Sequence, residues 1–196
     1  MDTFIENGKI QEKLNRGGIK VADVGFRYGI STILMAKAFP NSQFIAFDFH
    51  KESIEKANNL GKQENLNNVK FEKASASEFP GTNYDFITFF DCLHDMGDPQ
   101  GALTHVLNVF NKEEGICMIV ESNAQNKLED NINPISKTFY AGSTLICVPN
   151  SLAFNGPALG AQAGEEKIRD VVMKSGFSHF KRAVDTPSNI VYEVKL

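Results

Sequence analysis

The sequence predicts an α/β domain with a doubly wound sheet, and three observations predict it. Short apolar runs alternate with helical segments from residue 19 to residue 121. The runs are apolar on both faces, as strands are when helices cover both sides of a sheet. Polar residues gather where four of these runs end, at Asp23 to Gly29, Asp48, Ser75-Ala76 and Asp91 to Asp98. That is the edge at which open α/β sheets bind ligands. A chain of 196 residues, 42% hydrophobic and 22% charged, fits one domain with a full core.

Residues 1 to 16 read as a short amphipathic helix ended by Gly17-Gly18. Ile19 to Val24 is a compact apolar strand, followed by a glycine-bearing turn. Ser31 to Phe39 reads as a helix, stopped by Pro40-Asn41. Gln43 to Phe47 is a second strand closing on Asp48, and Lys51 to Glu64 a polar-faced helix leading into the loop Asn65 to Asn68. Val69 to Lys73 and Tyr84 to Phe90 are the third and fourth strands. Pro99 to Phe110 reads as a helix, and Ile116 to Val120 as a fifth strand closing on Glu121. Right-handed βαβ connections join these units.

Residues 122 to 160 break the rhythm, being rich in Asn, Gly, Pro and Ser. They read as an inserted lid or wall, helical in part. Glu165 to Ser175 resumes a helix closed by Gly176. "HFKRAVDT" and "NIVYEVKL" then read as a closing pair of strands joined through Pro187-Ser188. The expected organisation is a single domain over 1–196, with 122–160 as its inserted segment.

Several classes of function are set aside. The net charge is -4 and no dense Lys/Arg run occurs, so no nucleic-acid footprint is evident. No apolar run is long enough to span a membrane, and the N-terminus lacks a signal-peptide core, so the default location is cytoplasmic. Cys92, Cys117 and Cys147 are odd in number and widely spaced beside apolar residues. They read as reduced, buried thiols. With no CxxC pair or Cys/His cluster, no metal site is expected.

The turn in "VADVGFRYGIST" suggests a nucleotide-like cofactor, and Asp48 ends the next strand. A carboxylate there can accept hydrogen bonds from both hydroxyls of a ribose; its other reading is a cap for the following helix. The turn does not fit the G-x-G-x-x-G spacing of nicotinamide-dependent oxidoreductases.

With these stretches in view, the chain resembles class I S-adenosylmethionine-dependent methyltransferases. "VADVGFRYGIST" is similar to their first motif, "FIAFDFH" to the second, "KASASEFP" to the third and "FFDCLHDMGDP" to the fourth. The resemblance covers about residues 19 to 196. It implies a Rossmann-like, mostly parallel seven-stranded sheet with an antiparallel last strand. It also implies S-adenosyl-L-methionine as cofactor and a small-molecule acceptor. The C-terminal part resembles a bacterial subfamily with an extra N-terminal winged-helix-like domain, which these 196 residues do not include, either as a fragment or because the protein lacks it. In such relatives that part helps cover the active site or make a homodimer, so both expectations stay open.

The resemblance assigns roles to individual residues. Asp23, Gly25 and Gly29 form the turn under the methionine part of the cofactor. Asp48 holds the ribose and Phe49 packs on the adenine, whose edge meets Ser75 and Ala76. Asp91 and Cys92 line the floor near the sulfonium. Arg27 stands where relatives most often have glycine. It brings bulk and a positive charge, yet related O-methyltransferases tolerate an aromatic residue there. Arg27 can turn to the cofactor's carboxylate, to Asp23 or to an acidic substrate. An alternative reading of Arg27 is a catalytically inactive scaffold or ligand-sensing module.

His94 lies just past the fourth strand. A histidine there can take the proton from a hydroxyl as the methyl leaves sulfur, with Glu121 orienting it; it can equally be structural. Asp95 and Asp98 read as caps of the helix after Pro99. His50, His105 and His179 show no partner in the sequence and read as surface or helix-end residues. Phe139, Tyr140 and Phe154 either wall an apolar pocket or pack the insert onto the sheet.

Overall fold

The structure, a computed structural model, describes residues 8–196. Seven strands form one sheet: β1 (Lys20–Val24), β2 (Gln43–Asp48), β3 (Val69–Lys73), β4 (Phe86–Phe90), β5 (Ile116–Ser122), β6 (His179–Asp185) and β7 (Asn189–Lys195). Their order is β3-β2-β1-β4-β5-β7-β6. The pairs among β1 to β5 are parallel, while β7 is antiparallel to both β5 and β6. The expected doubly wound sheet with an antiparallel last strand is therefore present.

Seven α-helices accompany the sheet among the described residues: α1 (Lys9–Arg16), α2 (Ile30–Ala38), α3 (Lys51–Gln63), α4 (Pro99–Val109), α5 (Pro134–Gly142), α6 (Val148–Ala153) and α7 (Gly164–Lys174). The expected helix over 1–16 is found from Lys9; its first seven residues lie outside the described part. No helix among the described residues is long and apolar enough to cross a membrane.

Burial explains why the strands are apolar at successive positions. Val21, Phe44, Phe86, Ile116 and Met118 pack with Ile10 and Leu14 of α1 and Met35 of α2. Their neighbours Ala22, Val24, Phe47, Ile87, Phe89, Cys117 and Ile119 join the other large cluster, with Leu103 and Val106 of α4 and Ile168 and Val172 of α7. Side chains alternate between the two faces of a strand, so both parities must be apolar. A third cluster seats α3 and the glycine turn, through Phe26, Ile33, Ala46, Ala57 and Phe71.

Two boundaries differ from expectation. Tyr84 does not belong to β4; it makes an isolated bridge to Phe110, and its hydroxyl donates to the Pro80 carbonyl at 2.8 Å. β5 runs on through Glu121 to Ser122, because β7 pairs with it along that length. The segment after β5 holds a short 3-10 turn (Glu129–Asn131), α5, a π-helical turn (Ser143–Cys147) and α6. Asn150 and Ser151 of α6 fasten it to the β4–α4 connection: Asn150 Nδ2 donates to the Asp95 carbonyl at 3.0 Å, and Ser151 Oγ to the Met96 carbonyl at 2.8 Å.

Candidate active site

Asp23 is buried at 1% exposure and ties three elements together. One carboxylate oxygen accepts from Ser31 Oγ (2.9 Å) and Thr32 Oγ1 (2.6 Å), both on α2; the other accepts from Thr88 Oγ1 of β4 (2.9 Å). Burial pushes its carboxyl up to about 6 although the three hydroxyls oppose that shift. Asp23 thus holds the turn from inside the sheet. Of the three partners open to Arg27, Asp23 is not taken, because the hydroxyls occupy the carboxylate and Arg27 lies in the exposed part of the turn.

The turn from β1 to α2 carries left-handed backbone at Gly25 (φ 74°), Arg27 (φ 54°) and Gly29 (φ 74°). Gly25 is required by a close approach as well: a Cβ there would lie 2.8 Å from Cys92 Sγ and 3.5 Å from Met96 Cε. The Arg27 N–H donates to Asp48 Oδ2 at 2.9 Å, and the His50 N–H donates to Asp48 Oδ1 at 2.9 Å. Asp48 is therefore oriented by two amides at the end of β2. It does not cap α3, whose N-cap residue is His50, without a side-chain cap bond. The Arg27 guanidinium sits 5.6 Å from the Tyr28 ring centroid.

Phe49 follows Asp48, is 45% exposed and has the His50 ring centroid 3.9 Å from its own. It meets Phe154, which follows α6, edge to face at 5.8 Å. Ser75 and Ala76 are half-buried just past β3, and Ser75 Oγ bonds Ser77 Oγ at 2.8 Å. Asp91 opens the turn after β4 with left-handed backbone (φ 50°) and accepts from Ser122 Oγ at 3.2 Å. The Cys92 thiol is buried and donates to the Val24 carbonyl at 3.3 Å. Burial, and next the charge of Glu121, push this thiol far up, so it is held as an inert S–H.

His94 sits in the 3-10 turn Leu93–Asp95 and is 3% exposed. Its Nδ1 bonds Glu121 Oε2, while Glu121 Oε1 accepts from the Leu93 and His94 amides at 3.1 and 3.3 Å. Burial is the largest single influence and disfavours the imidazolium, but the charge and hydrogen bond of Glu121, the Cys147 contact and the charge of Asp91 together outweigh it and lift His94 to about 11. Cys147 Sγ lies 3.3 Å from the other ring nitrogen, Nε2. Asp95, raised to about 6 mainly by burial, completes a cluster in which His94, Asp95 and Cys147 each present an atom within 4.8 Å of the others.

Several sequence expectations are corrected by this geometry. The absence of a Cys/His cluster holds along the chain but not in space, because the π-helical turn brings Cys147 to His94. Cys147 is half-buried where a buried thiol was expected. Asp98 does cap α4, accepting from the Gly101 amide at 2.7 Å, but Asp95 does not. The remaining histidines have neighbours after all: His50 lies 3.3 Å from Asp48, His105 bonds the Phe79 carbonyl at 2.7 Å, and His179 lies 3.7 Å from Glu193. Sequence reasoning also passed over Gln162, whose two side-chain polar atoms are buried without a partner among the described residues. Its signal was weak, a lone glutamine in the small-residue run "LGAQAGE".

A family model described as a methyltransferase domain matches residues 15–168, which include every residue of this site. The chain belongs to that family. Solved structures of methyltransferases share its fold at low identity. A SAM-dependent methyltransferase from Aquifex aeolicus is 16% identical, with a TM-score of 0.68, over 98% of this chain and 90% of that one. An O-methyltransferase family protein from Burkholderia thailandensis is 15% identical, with a TM-score of 0.69, over 93% of this chain and 52% of that one. Magnesium protoporphyrin IX methyltransferase from Synechocystis, solved with S-adenosylhomocysteine bound, is 15% identical, with a TM-score of 0.65, over 96% and 78%. This methyltransferase-family chain therefore spans about half the length of the Burkholderia protein. No curated protein matches it significantly in sequence.

Proposed function

We propose that this chain transfers a methyl group from S-adenosyl-L-methionine to a hydroxyl of a small-molecule acceptor. The observation that carries this reading is a juxtaposition. The glycine turn approaches Cys92 and Met96 so closely that Gly25 has no room for a Cβ. Those two residues flank His94, which is locked onto Glu121. A cofactor seated on the turn is thereby brought to the only buried histidine among the described residues.

The residues present fit that cofactor. Gly25 lets the turn lie against Cys92 and Met96, the Asp48 carboxylate is pre-oriented for vicinal hydroxyls, and the exposed Phe49 ring follows it. When bound, the cofactor supplies an electrophilic methyl on a sulfonium, and the protein contributes mainly alignment and exclusion of water. His94 receives the acceptor's proton at Nε2, and Glu121 is its positioning residue, fixing the ring through Nδ1. In the free chain Glu121 keeps His94 in its imidazolium form. A second positive charge nearby lowers the proton affinity of His94, which favours the neutral ring needed for that step. The insert over 122–160 acts as the lid: Cys147 covers Nε2, and an acceptor hydroxyl takes its place there.

The alternative drawn from Arg27, an inactive scaffold or sensor, has little to support it. The turn closes around Arg27 with its amide on Asp48 and its side chain exposed. At an exposed position a charge acts through a water-like dielectric and is screened.

The test is calorimetric titration with S-adenosylhomocysteine of the native chain, Arg27→Gly and His94→Gln, alongside labelled methyl transfer to a panel of phenols. All three proteins are expected to bind within about threefold of one another, since neither side chain forms the cradle, and His94→Gln is expected to lose transfer at least about a hundredfold. Binding by Arg27→Gly alone would mean that arginine closes the site.

A further inference from the structure

Gln162 as a residue is half-buried, yet its amide breaks a rule that the buried amides obey. Its Nε2 and Oε1 are both buried, and neither has a hydrogen-bond partner among the described residues. Asn68, by contrast, donates to the carbonyls of Ala36, Phe39 and Ser42, and Asn131 donates to those of Gln125 and Lys127. Buried polar atoms are nearly always paired, and an orphan forfeits its full hydration.

The backbone around Gln162 is held too firmly for the orphan to be loose packing. The Gly160 N–H donates to the His94 carbonyl at 3.1 Å, the Ala161 N–H to Ser143 Oγ at 3.0 Å, and the Ala163 N–H to the Gly160 carbonyl at 3.0 Å. A Cβ on Gly160 would stand 2.5 Å from Ser143 Oγ, and one on Gly164 would stand 2.9 Å from Asn126 Oδ1. The turn is wedged between the segment carrying His94, the π-helical turn carrying Cys147, and the chain leaving β5. On the methyl-transfer reading, that is the acceptor end of the site. Cost retained at an over-determined position next to the chemistry points to a ligand.

We propose that Gln162 anchors the acceptor, and that the acceptor presents a hydrogen-bond donor and a hydrogen-bond acceptor side by side, as a carboxamide or lactam does. The inference rests on the methyltransferase reading given above and names the substrate class for that site. A glutamine amide offers one carbonyl and one NH2. Its natural complement is another amide edge, making two parallel hydrogen bonds. A substrate without that edge leaves Gln162 unpaired, which is how sites reject analogues most strongly. The competing occupant is a buried water, which would satisfy the amide in the free chain.

Gln162→Met keeps the length of the side chain and removes both polar atoms. Its free form is expected to melt about 3 °C or more above the native chain, in the range that relief of one buried orphan gives a chain of this size. An unchanged or lower melting temperature means that water already satisfies the amide, and overturns the proposal. The second arm uses two probes, 2-hydroxybenzamide and phenol, on chains saturated with S-adenosylhomocysteine. The native chain is expected to gain melting temperature with 2-hydroxybenzamide and not with phenol, and Gln162→Met to lose that gain. No response to 2-hydroxybenzamide, an equal response to both probes, or a response retained by the variant overturns it. Failure of the native chain to bind S-adenosylhomocysteine would count against the methyltransferase reading instead; the free-chain melting comparison reports on Gln162 without the cofactor.

Discussion

A buried carboxylate that meets only hydroxyls behaves differently from one that meets a cation. Asp23 accepts from Ser31, Thr32 and Thr88, and burial still lifts it from 3.8 to about 6. Hydroxyl groups compensate hydration in part, whereas an ion pair would hold the carboxyl low. Between those two values the folded chain keeps a proton that the unfolded chain has released. Stability therefore rises as pH falls from about 6 towards 4, the reverse of the usual acid-labile carboxylate. The gap between the folded and unfolded carboxyl corresponds to roughly 3 kcal/mol. Asp23→Asn cannot titrate, so the native chain should gain most of that amount relative to the variant between pH 7 and pH 4. Urea midpoints of both proteins at the two pH values measure it; a constant difference between them would refute the assignment. Arg27 makes the complementary point. A residue that reads as a liability on paper contributes its backbone amide to Asp48 and leaves its charge at the surface.

At the scale of elements, the site is a set of connections pinned to one another across the carboxyl edge of the sheet. The β4–α4 connection carries His94, and α6 grips it through Ser151, which is fully buried. Ser151 Oγ donates to the Met96 carbonyl and accepts from the Ala158 amide at 3.1 Å, so one hydroxyl joins the His94 turn, α6 and the chain beyond it. The π-helical turn before α6 adds the residue that turns Cys147 towards the ring; such turns often mark functional sites. Ser151→Ala would leave a carbonyl and an amide unpaired at once. The expected loss is about 2–6 kcal/mol of stability, from roughly 1–3 kcal/mol for each group. Binding of S-adenosylhomocysteine should stay within about threefold, because the glycine turn and Asp48 lie on other connections. Denaturant unfolding and calorimetry on the same variant measure both; a loss below about 0.5 kcal/mol would show that α6 is not what holds the His94 turn.

At the scale of the whole molecule, the sequence was legible where one connection suffices to define an interaction. Asp23, Gly25 and Asp48 lie within a single βαβ unit, and two-faced apolar strands fix the order strand, turn, helix, strand with little freedom. The place of β7 between β5 and β6 was not legible from the residues, since two closing strands pair equally well in either order along an edge; the family resemblance carried only the antiparallel last strand. Nor was the Cys147–His94 contact, made between residues 53 apart and dependent on how α5 and α6 fold back. Gln162 went unread for the same reason: an orphaned amide is visible only once its neighbours are in place. This division has a thermodynamic consequence. The proposed cofactor contacts, drawn from β1, β2 and β4, sit on neighbouring inner strands of the sheet, so a ligand there would stabilise the cooperative core and not a peripheral element. S-adenosylhomocysteine at about 100 times its dissociation constant should then add about 2.7 kcal/mol to the unfolding free energy, since it binds only the folded chain. For a chain of this length that raises the melting temperature by about 5–10 °C. Asp48→Ala removes the oriented carboxylate without touching the core clusters, so its own melting temperature should respond by less than about 2 °C to the same ligand concentration. A native chain that binds the ligand yet shows no shift would place the binding outside the cooperative sheet, and the β1–β2 edge would not be the cofactor site.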